Sequence, residues 1–152
     1  PILYVLCRAI KPLSVVETGV ASGVSSTFIL QALEDNNKGK LFSIDLPDPN
    51  VKTTTGWLIP EQLKSRWHLI VGRTREKLIP ILEDLKAIDI FLHDSEHSYE
   101  NMVWEFRTSW RYLSRGGLLL SDDINSNSAF SDFSKEVKRN SVKFNLLGGI
   151  QK

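Results

Sequence analysis

The chain holds a single cysteine, Cys7, which excludes an internal disulfide and points to a reducing, cytoplasmic setting. No apolar stretch approaches the roughly 20 residues needed to span a bilayer, and the start does not read as a signal peptide, so a membrane is not an expected partner. Charge of one sign is also missing. Nineteen Lys and Arg against eighteen Asp and Glu leave a formal net charge of +1. That gives no electrostatic footprint for nucleic acid, and there is no Asn/Asp-Pro-Pro-Tyr type motif for a flipped base. Three histidines without zinc-ligand spacing argue against structural zinc. Internal repeats and low-complexity tracts are absent. The first residue is proline rather than methionine, so further residues in front of it are expected.

What remains is an ordinary globular composition, 41% hydrophobic and 24% charged over 152 residues. That length suits one domain spanning 1–152, large enough for a sizeable core. The chain is organised around Val15 to Ser26, VVETGVASGVSS. A β-branched run meets Glu17, then Gly19 and Gly23 bracket a turn, and Val24, Phe28, Ala32 and Leu33 follow at helical spacing. Glycines there admit positive φ and close approach of a ligand, and the helix that follows points free N–H groups at it. The dinucleotide fingerprint needs G-x-G-x-x-G, whereas this turn is G-x-x-x-G with Ala21 inside, which disfavours NAD.

Along the chain, Pro1 to Ile10 reads as a helix and Ser14 to Thr18 as the first strand. Gly23 to Glu34 is helical, and Lys40 to Asp45 is the second strand. Leu46 to Pro60 carries three of the six prolines and reads as a long irregular loop, often a functional lid. Trp67 to Val71 and Ile88 to His93 read as strands three and four, separated by a helix from Arg75 to Leu85. Tyr99 to Leu113 is a clear amphipathic helix, with Tyr99, Met102, Val103, Phe106, Trp110 and Leu113 in register. Leu118 to Ser121 is a fifth strand, Ser128 to Arg139 a helix, Val142 to Leu147 a sixth strand, and a seventh begins near Ile150. Short apolar strands alternating with helices predict an α/β fold. The expected form is an open, doubly wound, mostly parallel sheet of six to seven strands with helices on both faces. Ligands of such sheets bind beyond the carboxyl ends of the strands.

Acidic residues fall at those ends: Glu17, Asp45, Asp94, Asp122 and Asp123. The expectation is that all five share one cleft; the plain alternative is that each caps a following helix. Asp45 stands 22 residues after Gly23, where an acid is placed to take ribose hydroxyls. Asp94, Asp122 and Asp123 make an all-oxygen anionic group suited to Mg²⁺ rather than zinc.

ETGVASG resembles the first motif of class I S-adenosylmethionine-dependent methyltransferases. The ordered set GRTREKLIPIL, IDIFLHDSEHSYENMVWEF and YLSRGGLLLSDDI is similar to the small O-methyltransferase group that includes macrocin O-methyltransferase (methyltransferase family 24 type). The resemblance covers about residues 12 to 125 and implies a Rossmann-like methyltransferase fold with S-adenosylmethionine as cofactor. It implies that Glu17, Gly19 and Gly23 form the wall and floor of the cofactor pocket, with Ser22 and Ser25 as donors to its carboxylate. Asp45 would take the ribose, Leu46 would lie beside adenine, and Gly72, Arg73 and Thr74 would line the adenine end. Asp94 would lie near the methionine part and also ligate Mg²⁺ with Asp122 and Asp123. His97 matches a general-base position. Glu17 in place of the commoner Asp and Ala21 in place of glycine depart from the first motif without removing its chemistry.

The function so implied is methylation of a hydroxyl on a small molecule such as a sugar or secondary metabolite. A Mg²⁺-bound hydroxyl would have a lowered pKa, and His97 would remove its proton. Metal-free methyl transfer and a non-catalytic cofactor-binding domain are the alternatives, and a nicotinamide dehydrogenase lies outside the family. His97 could instead cap the Tyr99 helix. His93 reads as a packed core histidine, and His68 has no assigned role. Trp57 could close over the pocket from its loop or pack there loosely. Trp104 is either a surface residue or a homodimer contact, and Arg73 and Arg75 could be merely solvated.

Overall fold

Why the strands read as continuous apolar runs is plain in a computed structural model describing residues 2–47, 49–50 and 52–152. Each central strand is covered on both faces, and successive side chains enter different cores. Val15, Leu41, Ile90, Leu92 and Leu120 pack with α1 (Ile2–Ile10), α2 (Val24–Asp35) and a 3-10 helix (Glu61–Arg66). Their neighbours Val16, Phe91 and Leu119 pack on the other face with α3 (Thr74–Leu85), α4 (Tyr99–Tyr112) and α5 (Ala129–Glu136).

The sheet joins β1 (Ser14–Thr18), β2 (Lys40–Asp45), β3 (Trp67–Val71), β4 (Ile88–His93), β5 (Leu113–Ser121), β6 (Ser141–Phe144) and β7 (Leu147–Gln151) in the order 3-2-1-4-5-7-6. The first five are parallel. The order reverses between β1 and β4, which opens a crevice at their carboxyl ends. There Gly19 N donates to Ile44 O and Asp94 N to Thr18 O, so the residues that follow β1 and β4 are held by neighbouring strands.

The departures from expectation lie in the last third and in the long loop. A sixth strand expected over Val142 to Leu147 is broken at Asn145, which takes φ +53°, and the chain reverses into the β6–β7 hairpin. Both strands run antiparallel to their sheet neighbours. β5 starts at Leu113 rather than Leu118, with a register shift against β4 that accommodates the Gly116-Gly117 pair. Residues 61–66, unassigned by pattern, form the 3-10 helix. Pro1, expected to open the first helix, lies outside the described residues. No helix among the described residues is long and apolar enough to cross a membrane.

Candidate functional site

The crevice contains a cavity of about 430 Å³ lined by Gly19, Val20 and Ala21 after β1, Ile44, Asp45 and Leu46 at the end of β2, and Arg73, Thr74 and Arg75 at the start of α3. Asp94, Ser95 and Glu96 after β4, with Asn101 of α4, complete the wall. Its size falls in the range of small-molecule sites. Of the expected cofactor residues, Gly19, Asp45, Leu46, Arg73, Thr74 and Asp94 meet here. Ser22, Gly23, Ser25, Gly72 and Glu17 do not line it, and each has a physical reason.

Glu17 is fully buried, because its side chain points into the α2 face of the sheet. Its Oε1 accepts from Ser25 Oγ at 2.6 Å, and its Oε2 accepts from Ser26 Oγ at 2.6 Å and Ser43 Oγ at 2.8 Å. Trp67 Nε1 donates in turn to Ser43 Oγ at 2.9 Å. Burial pushes the Glu17 carboxyl above its usual range, against the pull of the three hydroxyls. Ser25 is therefore spent on Glu17, not free for a ligand carboxylate, and Glu17 supports the floor from beneath.

The glycine turn is shaped by protein approaching it from two sides. A Cβ on Gly19, which has φ +83°, would overlap the Asp94 carbonyl. One on Gly23, φ +91°, would sit 2.7 Å from Ile59 Cγ1 and 2.9 Å from Gly56 Cα. The long loop folds back onto this turn: Gly56 N donates to Ala21 O and Leu58 N to Ser22 O, both at 2.9 Å. Ser22 thus meets the loop with its backbone. Gly72 lies against the Lys77 side chain, and its N–H donates to Asp45 O. Trp57, which could close over the pocket or pack loosely in its loop, is 55% exposed and absent from the cavity wall.

The five acids do not share one cleft. Asp45 and Asp94 face the cavity, joined by Glu96, which pattern reading passed over. Asp94 is perturbed by its surroundings. Burial and then the charges of Asp122, Glu17 and Asp123 push its carboxyl up to about 7. The expected Mg²⁺ ligands Asp94, Asp122 and Asp123 have suitable oxygen chemistry but do not converge. Among the described residues no group of three or more His, Cys, Asp or Glu side chains is placed to hold a metal ion. The donor set as arranged does not fit the ion.

His97 is not on the cavity wall either. Its Nε2 is enclosed without a partner, its ring stands edge-to-face with His93 at 5.3 Å, and its backbone oxygen accepts from Asn127 Nδ2. Nor does it cap α4; Ser98 does, its Oγ accepting from Asn101 N. His93 is the packed core histidine the sequence suggested, fully buried, with Nδ1 2.7 Å from Glu105 Oε2. Glu105 was missed by pattern reading. It is a buried carboxylate that also accepts from Thr18 Oγ1 (2.6 Å), Ser95 Oγ (2.8 Å) and Asn101 Nδ2 (3.0 Å). Ser95 and Asn101 both belong to the cavity wall, so Glu105 braces that wall from behind. Arg75 stacks over Trp104 at 4.4 Å, neither simply solvated, and His68 stacks on Phe42 at 4.9 Å.

Comparisons with known proteins agree with this geometry. A family model described as a methyltransferase domain (Methyltransf_24) matches residues 16–124. No curated protein sequence matches the chain. An O-methyltransferase from Bacillus cereus in complex with SAH superposes with a TM-score of 0.73 at 11% identity, covering 99% of this chain and 79% of that one. A methyltransferase from Geobacter sulfurreducens gives 0.71 at 21% identity, covering 99% and 75%. The MycE methyltransferase of the mycinamycin biosynthetic pathway, in complex with Mg, SAH and mycinamycin VI, gives 0.70 at 16% identity. There the match covers 97% of this chain and 47% of the other. By sequence motif, family model and fold alike, the chain belongs to the methyltransferase-24 family of class I S-adenosylmethionine-dependent methyltransferases.

Proposed function

We infer that the enzyme transfers the methyl group of S-adenosylmethionine to a hydroxyl of a small molecule. The observation that carries this is Asp94, a cavity-wall carboxyl whose proton affinity is centred near neutrality. Asp45, at the end of β2 on the same wall, accepts the ribose hydroxyls, and Leu46 and Thr74 flank the adenine end. The sulfonium methyl is already activated, so the protein's task is to hold the acceptor oxygen in line with it and take up a proton. The acceptor oxygen bonds to the methyl carbon, the carbon–sulfur bond breaks to leave the neutral thioether, and the hydroxyl proton passes to the Asp94 carboxylate. A base with pKa near the working pH is the efficient choice for that transfer. The O-methyltransferase named above and MycE, with its bound mycinamycin VI, support an acceptor hydroxyl on a small molecule.

A second reading gives the proton to His97, whose unpartnered Nε2 marks it as a group with bonding capacity to spare. Transfer of tritiated methyl from S-adenosylmethionine to a panel of catechols, sugars and macrolides separates the two. Asp94→Asn is expected to lower turnover about 100-fold or more and His97→Gln only a few-fold. The reverse order transfers the role to His97. Equal loss of turnover and cofactor affinity in both variants would sink either assignment. Running the same panel with Mg²⁺ and with chelator tests the metal-assisted alternative, for which strict Mg²⁺ dependence is the supporting result. Labelling of no acceptor, with the cofactor bound, would count against hydroxyl transfer to these classes.

A further inference from the structure

The long loop after β2 does more than cross the surface. Its residue Thr55 donates from Oγ1 to Asp45 Oδ2 at 2.8 Å, while the backbone N–H of Val20, on the glycine turn, donates to Oδ1 at 3.1 Å. One donor therefore holds each oxygen of the cavity-facing carboxylate. An ionised carboxylate offers about four acceptor positions, so each oxygen keeps a further lone pair for a ligand. Thr55 is itself fixed: the next residue, Gly56, donates its N–H to Ala21 O, and its Cα packs where a Cβ on Gly23 would be. Trp67 fills the space beside Gly56, so a side chain there has no room.

We propose that Thr55 is a positioning residue of the cofactor site, its hydroxyl locking the Asp45 carboxylate in the orientation that receives the two ribose hydroxyls. The proposal rests on Asp45 as the ribose acceptor. With each oxygen held by one protein donor, the carboxylate meets the diol already oriented, and little rotational freedom is lost on binding. The loop, remote in pattern from the G-x-x-x-G turn, thereby becomes part of the cofactor site.

The test is calorimetric titration with S-adenosylhomocysteine and with its 2′,3′-dideoxy counterpart, which lacks the ribose hydroxyls. Thr55→Val keeps the shape and removes the donor. It is expected to weaken S-adenosylhomocysteine about 3- to 10-fold while changing the dideoxy ligand by less than about twofold. Thr55→Ser, which restores a hydroxyl, should bind within about twofold of the parent. Unchanged or tighter binding by Thr55→Val overturns the proposal, as does an equal loss for both ligands, which is what a merely structural role would give. Asp45→Ala separates the layers. Parent protein that binds while Asp45→Ala binds equally well removes Asp45 as ribose acceptor, and the Thr55 role falls with it. Failure of the parent protein to bind overturns the cofactor assignment beneath both.

Discussion

His93 Nδ1 lies 2.7 Å from Glu105 Oε2, and neither side chain has solvent-accessible surface. Burial alone would push the Glu105 carboxyl up, but the His93 contact and the hydroxyls of Thr18 and Ser95 hold it below its usual range. The ionised carboxylate keeps a proton on Nδ1 of His93 and ties β1, β4, α4 and the cavity wall together through one residue.

Removing that hub is expected to be costly, since four donors lose an acceptor that is itself fully buried. Glu105→Ala should destabilise the fold by roughly 3–5 kcal/mol in denaturant titration, the usual range for breaking a buried pair. Glu105→Gln, which keeps one carbonyl acceptor, should lose less. A loss under about 1 kcal/mol for the alanine variant would mean that the network is not what holds the wall.

Gly19 and Gly116 share φ +83°, yet a Cβ on Gly19 would overlap the Asp94 carbonyl whereas one on Gly116 would meet nothing within 4 Å. Gly116→Ala is expected to cost only the left-handed backbone penalty, about 1–2 kcal/mol. Gly19→Ala should cost at least about 2 kcal/mol more, because the end of β4 must move. Equal melting temperatures for the two variants would show that the contact at Gly19 relaxes freely.

Asp94 gives the site a pH dependence of defined sign. Its folded pKa of about 7 stands above the ordinary aspartate value of 3.8, so the folded chain holds a proton that the unfolded chain has released between those values. The stability this contributes is present at acid pH and lost as pH rises through about 7. Cofactor binding runs the other way. The cationic sulfonium favours ionised Asp94, so affinity for S-adenosylmethionine should rise a few-fold between about pH 6 and pH 8, the scale of a partly exposed ion pair. S-adenosylhomocysteine, without that charge, should show little change. Asp94→Asn should flatten the first curve, and parallel curves for the two ligands in the parent protein would show that Asp94 does not sense the sulfonium.

Much of the architecture was legible along the chain. β1, β2, β3 and β4 run where the apolar runs placed them, because the central strands, covered on both faces, draw mostly on apolar residues, and turn or loop residues delimit each run. The β6–β7 hairpin was not legible as such. Asn145 and Leu146 interrupt a run that reads as one strand, and the reversal is fixed by pairing with β5, a contact remote in sequence.

Local spacing is enough to specify the parallel α/β frame, the glycine turn after the first strand, and the gathering of acids near one edge of the sheet. Spacing carries these, since a period of two or of 3.6 residues is a local property. Which acids face the cavity depends instead on packing between segments distant in the chain. Glu17 and Asp45 share a face of the sheet, but Glu17 stands one residue before the end of β1, opposite Ser43, and enters a cage of three serine hydroxyls, whereas Asp45 is the last residue of β2 and lies on the wall. Glu105 shows the same limit. On a helix pattern it is one more charged residue, and its role exists only because Thr18, 87 positions away, and His93 are folded against it. A buried polar group is defined by its partners, and those partners are brought together by the fold.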